Sequence, residues 1–321
     1  MVLVPKRSWL GVFFALYVHL WRAHRKLRST PEEFSYAQLS APLLDAQVHD
    51  LEAGERRIRA VATPPGWSGK TVVLVHDLKM RLETWSLVWE QLREQGHRLI
   101  AADLAGHGES TLTPGSLELS SLSMDLKRLL EYFHVTEGAV VGHGVGGFIA
   151  VQFLLEHRLA ARRLPFGLVC VSCTAGNLQK AVGREFLRTL ATAFAALRLP
   201  ELLTYFDLPG EASVARRLGQ NATHGVVRVA LEAKRRAASD WALRNLSDAL
   251  WTLDLHPSLA TLRFPCSVLL SRDDRVQPEA LREAFAATGQ MRYFKLLDDA
   301  GSFLPLIKPK EVAEAVSKIF A

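Results

Sequence analysis

The chain is short of the features that mark disulfide-stapled, cofactor-cradling or membrane-embedded proteins. Its 321 residues include three cysteines, Cys170, Cys173 and Cys266, too few for a disulfide framework in a domain of this size. Cys170 and Cys173 have the spacing of a redox pair. They fall in an apolar run, Leu168 to Cys173, that reads as a strand, where residues three apart point to opposite faces. Buried structural cysteines are expected. The sequence has no cluster of metal-ligand spacing and no phosphate-cradling glycine loop. The run Gly142 to Gly147 is spaced G-x-G-x-G-G, which departs from the dinucleotide pattern G-x-G-x-x-G. No metal and no cofactor is expected.

An excess of charge is missing from most of the chain as well. The formal charge of +6 is carried by residues 1–28, which hold Lys6, Arg7, Arg22, Arg25, Lys26 and Arg28 and no acid, while the rest has 33 basic and 33 acidic residues. A neutral body argues against a nucleic-acid partner. Between those basic residues, Trp9 to Trp21 is apolar apart from Tyr17 and His19. As a helix it rises about 20 Å, short of a ~30 Å hydrocarbon core. Arg22 follows it where a signal peptide would place a small-residue cleavage site. It reads as a short uncleaved anchor or as a helix lying in the interface with Trp at each end; a start-site extension or a helix packed on the body is the plain alternative. Four basic residues after the segment against two before it favour a cytoplasmic body, and membrane association through residues 1–28 is expected. Residues 29–45 form a polar, Pro-containing connector.

From residue 46 the pattern alternates strand and helix. Ala46–Glu52 and Arg57–Thr63 read as a hairpin with Gly54 in the turn. Thr71–His76, His97–Ala102, Gly138–Gly142, Leu168–Cys173, Ser267–Ser271 and Arg292–Leu297 read as strands, with helices expected over Thr84–Gln95, Leu117–Phe133, Val145–His157, Pro278–Ala287 and Lys310–Phe320. Repeated βα units with fully apolar strands predict an α/β, doubly wound, mostly parallel sheet. Asn177 to Leu262 interrupts the alternation and is rich in Ala, Leu and Arg; it reads as an inserted helical cap. The body is thus divided into a core of 46–176 and 263–321 with a cap over 177–262.

Chemistry concentrates at Val140-Val141-Gly142-His143-Gly144-Val145-Gly146-Gly147, where an apolar strand opens into a helix through small residues flanking position 144, the layout of a nucleophile elbow. Together with Val72-Val73-Leu74-Val75-His76, Asp103-Leu104-Ala105-Gly106-His107-Gly108-Glu109-Ser110, Asp273-Asp274-Arg275-Val276-Gln277-Pro278 and Ala300-Gly301-Ser302-Phe303, these residues resemble the α/β-hydrolase-fold superfamily, in its capped lipase-, esterase- and haloperoxidase-like branch. The likeness runs in order from about residue 46 to 321. It implies a nucleophile at Gly144, an acid at Asp274, a catalytic histidine at Ser302 and oxyanion amides at Leu78 and Val145.

The departures fall on those positions. Gly144 has no side chain with which to form an acyl or alkyl intermediate. Ser302 offers a hydroxyl where a base is needed. Asp77 puts a carboxylate where the resemblance implies glycine, and a negative charge there opposes a developing oxyanion. Asp274 alone is in place; without a histidine it is expected to pair with Arg272 or Arg275 or to cap the next helix. His76, His107, Ser110 and His143 are expected to be structural, His256 and the Ser172–Cys173 pair to border the pocket at most. The first functional reading is therefore a non-hydrolytic pseudoenzyme at the membrane, binding a lipophilic small molecule or a partner; Phe186, Leu187, Leu190, Phe194 and Leu197 of the cap either roof a cavity for such a ligand or simply pack the cap on the core. The second is an active esterase- or lipase-like hydrolase, or a lyase, that uses other catalytic residues.

Overall fold

Strands of five to seven residues assemble into one eight-stranded sheet, and the computed structural model describes residues 17–18, 21–22, 25–32, 34–114, 117–156, 166–173, 223–237, 243, 246, 249–250, 253–259, 264–272, 286, 291–298 and 300–321. Most of the apolar segment 9–21, the cap residues Phe186, Leu187, Leu190, Phe194 and Leu197, and Asp274 with its loop lie outside the described residues. Strands β1 (Gln47–Ala53) and β2 (Arg56–Ala62) form an antiparallel hairpin across Gly54. β3 (Thr71–Val75), β4 (Arg98–Ala102), β5 (Gly138–His143), β6 (Phe166–Val171), β7 (Cys266–Ser271) and β8 (Met291–Leu297) are parallel to one another. The order across the sheet is β1-β2-β4-β3-β5-β6-β7-β8.

Among the described residues the helices include α1 (Tyr36–Ser40), α2 (Ser86–Glu94), α3 (Leu119–Tyr132), α4 (Val145–Glu156), α5 (His224–Arg236), α6 (His256–Leu259), α7 (Leu304–Ile307) and α8 (Pro309–Phe320). Alternation along each strand divides the core between the two faces of the sheet. Val72 and Leu74 of β3 join Val88 and Leu92 of α2 and Val312 and Val316 of α8. Val73 and Val75 join Leu126 and Leu129 of α3 and Ile149 and Phe153 of α4. Side chains buried to this degree contribute about 1.5–3 kcal/mol each. Strands covered on both sides read as continuous apolar runs, which is why β3, β5 and β6 are legible in the sequence.

The stretch read as a connector takes part in a third apolar cluster. Ser35 caps α1, accepting from Gln38 N (3.3 Å) while Gln38 Oε1 accepts from Ser35 N (2.8 Å). Leu39 of α1 and Leu27 before it are buried with Met80, Leu87, Leu306 and the apolar face of α5, Val226, Val227, Val229 and Ala230. The chain from residue 27 is therefore packed against the body, and α5, within the range read as cap, is part of that packing.

The cysteine strand differs from its expected course. β6 ends at Val171, and Ser172 has a φ of +46°, so the chain turns there. Cys170 and Cys173 consequently enter the same core rather than opposite sides of the sheet. Both are buried thiols, and burial together with a hydrogen bond to Cys173 pushes the Cys170 thiol well above its usual range. The turn, invisible in a run of apolar residues, is what overturns the opposite-face expectation.

Candidate functional site

The carboxyl ends of β3 and β5 meet at the point where the chain, having placed β4 on one side of β3, crosses to the other. Open parallel sheets bind ligands at such a switch point. β5 stops at His143, and α4 starts at Val145. Between them Gly144 adopts a φ of +51°, its N–H bonded to Val171 O (3.0 Å) and its carbonyl to Gly147 N (3.0 Å). A Cβ on Gly146 would lie 2.2 Å from Val75 O, so glycine is what lets α4 start this close to β3. The small residues of the elbow thus have a steric cause, independent of chemistry.

The space above Gly144 is taken. A Cβ built there would lie 2.2 Å from Asp77 Cγ and from Asp77 Oδ1. Asp77 Oδ1 accepts the backbone N–H of Val145 at 2.7 Å. One aspartate therefore fills the place of an elbow side chain and holds the first amide of α4. A carboxylate at a helix N-terminus is favourable, by about 0.3–1 kcal/mol when exposed and up to ~2 when partly buried. Asp77 is half-buried, and its Oδ2 has no partner among the described residues. Leu78, the other position assigned an oxyanion amide, follows in a turn closed by Met80 N to Asp77 O (3.1 Å).

Three buried histidines surround this point, and each is tied down. His143 Nε2–H donates to Ser302 O at 2.6 Å, with the rings of Trp85 and Phe303 edge-on at 6.2 and 6.0 Å. It joins the elbow to the Gly301–Ser302 turn by way of the Ser302 backbone. His76 Nδ1–H donates to Asp77 O (2.8 Å), and its Nε2 accepts from Leu104 N (2.9 Å), so the lone pair a general base would need is already used. Burial pushes the His76 pKa down to about 4. His107 donates Nδ1–H to Ala105 O (2.9 Å), and burial, with His76 beside it, lowers its pKa to about 4 as well. Both are uncharged near neutral pH.

At the end of β4, Asp103 organises the neighbouring turn. Its Oδ1 accepts from Leu82 N (2.8 Å), and its Oδ2 from Glu109 N (3.1 Å) and Arg59 Nη1 (3.1 Å). Ser110 Oγ donates to Asp103 O (2.8 Å) and accepts from Arg59 N (2.9 Å). Arg59 also reaches Glu83 (2.8 Å), which Arg81 contacts in turn (3.1 Å). His107 and Ser110 are structural here.

Gly144, Val145 and Leu78 are thus brought together through Asp77, and the Ser302 backbone reaches the elbow through His143. Asp274 lies outside the described residues; Arg272, one partner expected for it, bonds Asp298 Oδ1 through Nε at 2.9 Å. The His256 side chain also lies outside the described set. Among the described residues no group of three or more His, Cys, Asp or Glu is arranged to hold a metal. A cavity of about 30 Å³, room for a water, lies between α3 and the sheet, lined by Val75, Leu122, Leu129 and Ile149 among others. The feature that sequence reasoning missed is the bond from Asp77 to Val145. The aspartate itself was conspicuous, but its reach to residue 145 depends on β3 and β5 being neighbours.

Comparisons with known proteins bear on the family and the fold. A model of the alpha/beta hydrolase family matches residues 72–315. Among curated proteins, an uncharacterized protein of Mycobacterium bovis is 29% identical over 147 residues, 44% of this chain and 41% of the relative, so the chain spans well under two thirds of that relative's length. An AB hydrolase superfamily protein of Bacillus subtilis is 23% identical over 216 residues, covering 65% of this chain and 76% of its own. Among solved structures, a bromoperoxidase from Bacillus anthracis superposes with a TM-score of 0.70 at 17% identity, over 86% of this chain and 99% of its own. An esterase from Exiguobacterium antarcticum gives 0.65 at 17% identity, over 85% and 99%. At these identities the structural likeness shows the fold alone.

Proposed function

The chain belongs to the alpha/beta hydrolase family, and from that premise we propose that it is a member without hydrolytic turnover, which binds a lipophilic small molecule at the elbow and is held at a membrane surface by its first 28 residues. The observation that carries the reading is the Asp77 carboxylate above Gly144, bonded to Val145 N. A hydrolytic cycle needs an attacking atom at 144, a base at 302 and a vacant N–H at 145. Gly144 offers no attacking atom, and the Ser302 hydroxyl takes no proton near neutral pH. The Val145 N–H is already used, and by a negative charge that opposes an oxyanion. In a well-studied serine protease, loss of the nucleophile or the base alone costs about a million-fold in turnover.

Support for the lipophilic ligand comes from Leu78, an apolar and only partly buried residue next to Asp77. Support for the membrane comes from Tyr17 and Trp21, 56% and 49% exposed, next to exposed Arg22, Arg25, Lys26 and Arg28. Paired aromatic and basic side chains suit an anionic interface. No helix among the described residues is long and apolar enough to cross a membrane.

The decisive experiment is a serine-directed fluorophosphonate probe together with a panel of short acyl esters. No labelling and no turnover above background is expected. Stoichiometric labelling would establish the second reading, an active esterase-like enzyme or lyase with relocated groups, which the esterase and bromoperoxidase among the similar folds keep in view. For the membrane, deleting residues 1–22, which leaves buried Leu27 in place, should abolish co-flotation with anionic vesicles; flotation of the shortened chain refutes the tether.

A further inference from the structure

We propose that α5 makes a second contact with the membrane, its basic face lying on anionic phospholipid headgroups beside the N-terminal segment. The inference rests on the reading of residues 1–28 as a tether. It goes further by naming a surface of the body and the charge of the lipid it meets.

A helix face that only has to be soluble carries charges of both signs or acids. α8 exposes Lys310, Glu314 and Lys318, and α2 exposes Glu90 and Glu94. On α5 every exposed residue is basic: Arg228, Lys234, Arg235 and Arg236. The dipole of a helix favours cations in its last turn, which accounts for three of these and not for Arg228. Glu232, the acid of α5, is already paired with Arg236 (3.1 Å) and Arg81 (3.9 Å). Arg228 lies over the Tyr36 ring at 4.4 Å. Lys234 and Arg235 form no ion pair among the described residues.

The fold sets this helix next to a second basic stretch. Leu27, 3% exposed, is buried in one cluster with Val226, Val227, Val229 and Ala230 of α5. A Cβ on Gly225 would lie 2.9 Å from Phe34 O, so α5 starts against the chain that follows Leu27. On that chain Arg22, Arg25, Lys26 and Arg28 are exposed. Across residues 21–36 and 223–237 the acids are Glu32, Glu33 and Glu232, outnumbered by Lys and Arg. The adjoining loop is balanced, with Lys79 and Arg81 against Asp77 and Glu83. Exposed Tyr17 and Trp21 favour a bilayer over a nucleic acid as the partner, since aromatic side chains anchor at the headgroup level. Each Lys or Arg held at an anionic surface strengthens partitioning about fivefold, so α5 reinforces the tether rather than replacing it. Met80 and Phe303 of the same cluster adjoin the elbow, through Asp77 O and the His143 ring, which sets the elbow beside the lipid.

The test titrates the full-length chain with phosphatidylcholine vesicles, with and without phosphatidylserine, and reads co-flotation. Lys234→Gln with Arg235→Gln keeps good helix formers at exposed positions. It is expected to weaken partitioning into the phosphatidylserine vesicles about thirtyfold, a gap that closes in high salt. Arg292→Gln with Lys318→Gln removes the same charge near the start of β8 and the end of α8, and should weaken it less than about threefold. Partitioning untouched by the α5 pair, or weakened equally by both pairs, overturns the α5 contact and leaves the tether standing. Equal flotation of the unaltered chain with both kinds of vesicle overturns the choice of anionic lipid. Flotation with neither overturns the tether and this inference together. If the α5 pair loses binding to a homopolymeric RNA and keeps its vesicle binding, the surface belongs to a nucleic acid and the proposal falls. Should the pair not fold, Lys234→Gln and Arg235→Gln singly are each expected to cost about fivefold, and no loss in either overturns the contact.

Discussion

Asp103 and Asp77 end neighbouring parallel strands, β4 and β3, yet they occupy opposite extremes of what a partly or wholly buried carboxylate can do. Asp103 is 1% exposed and accepts from two backbone N–H groups and Arg59, inside a network closed by Glu83 and Ser110. Asp77 is half-buried, accepts one backbone N–H, and forms no ion pair among the described residues. A fully satisfied buried carboxylate rigidifies the turn it organises, whereas one with a single partner constrains its surroundings less. The same residue type is fully partnered in one loop and singly partnered in the next, and the difference lies in what the fold brings to each.

That contrast can be broken experimentally, starting with the larger effects. Asp103→Ala strands Arg59, Leu82 N and Glu109 N in the interior and is expected to cost about 3–5 kcal/mol, read from urea unfolding. A loss below ~1 kcal/mol would show that the network is not the anchor proposed.

Acid should act next. His76 and His107 have pKa values lowered from 6.5 to about 4, so the unfolded chain binds these protons first as the pH falls. Stability is therefore complete above about pH 6.5 and declines between 6.5 and 4, by roughly 3 kcal/mol for each histidine. His107→Asn should flatten this limb of the stability profile; an unchanged slope would mean that other groups carry it.

Gly144→Ser is smaller in effect and sharper in meaning. The new Cβ would collide with the Asp77 carboxylate in a residue already at φ +51°, at an expected cost of about 1–3 kcal/mol. Asp77→Gly in the same chain should recover part of that, with a coupling above ~0.5 kcal/mol in a double-mutant cycle. Strict additivity would show that the two residues do not compete for the space. Adding Ser302→His to this pair then tests whether the frame can host weak ester hydrolysis. Asp77→Asn should have the least effect on stability, within about 1 kcal/mol, since an amide oxygen can still accept from Val145; a larger loss in urea unfolding would place Asp77 with Asp103 among the structural carboxylates.

Much of this was legible in the residues themselves. The apolar runs that became β3, β5 and β6 are fully buried strands, and the small residues around Gly144 announced a close strand-to-helix approach. The blank positions at Gly144 and Ser302 needed no coordinates. Asp77 was marked as a charge in the wrong place for hydrolysis. Its distance from Gly144 was not readable, because residues 67 apart in sequence become neighbours only through the pairing of β3 with β5. The turn at Ser172, which brings Cys170 and Cys173 into one core, was hidden because an apolar run has the same composition whether it continues as strand or bends.

Sequence alone determined the periodicity, and with it the layered sheet, since burial on two faces demands continuous apolar runs in the central strands. It also determined which side chains are missing from the elbow, because an absent atom is absent in any conformation. Tertiary structure alone decided what stands in their place. The contact between Asp77 and the first turn of α4 is made by a sheet register that no local pattern encodes, and through it an elbow without a side chain presents a negative charge.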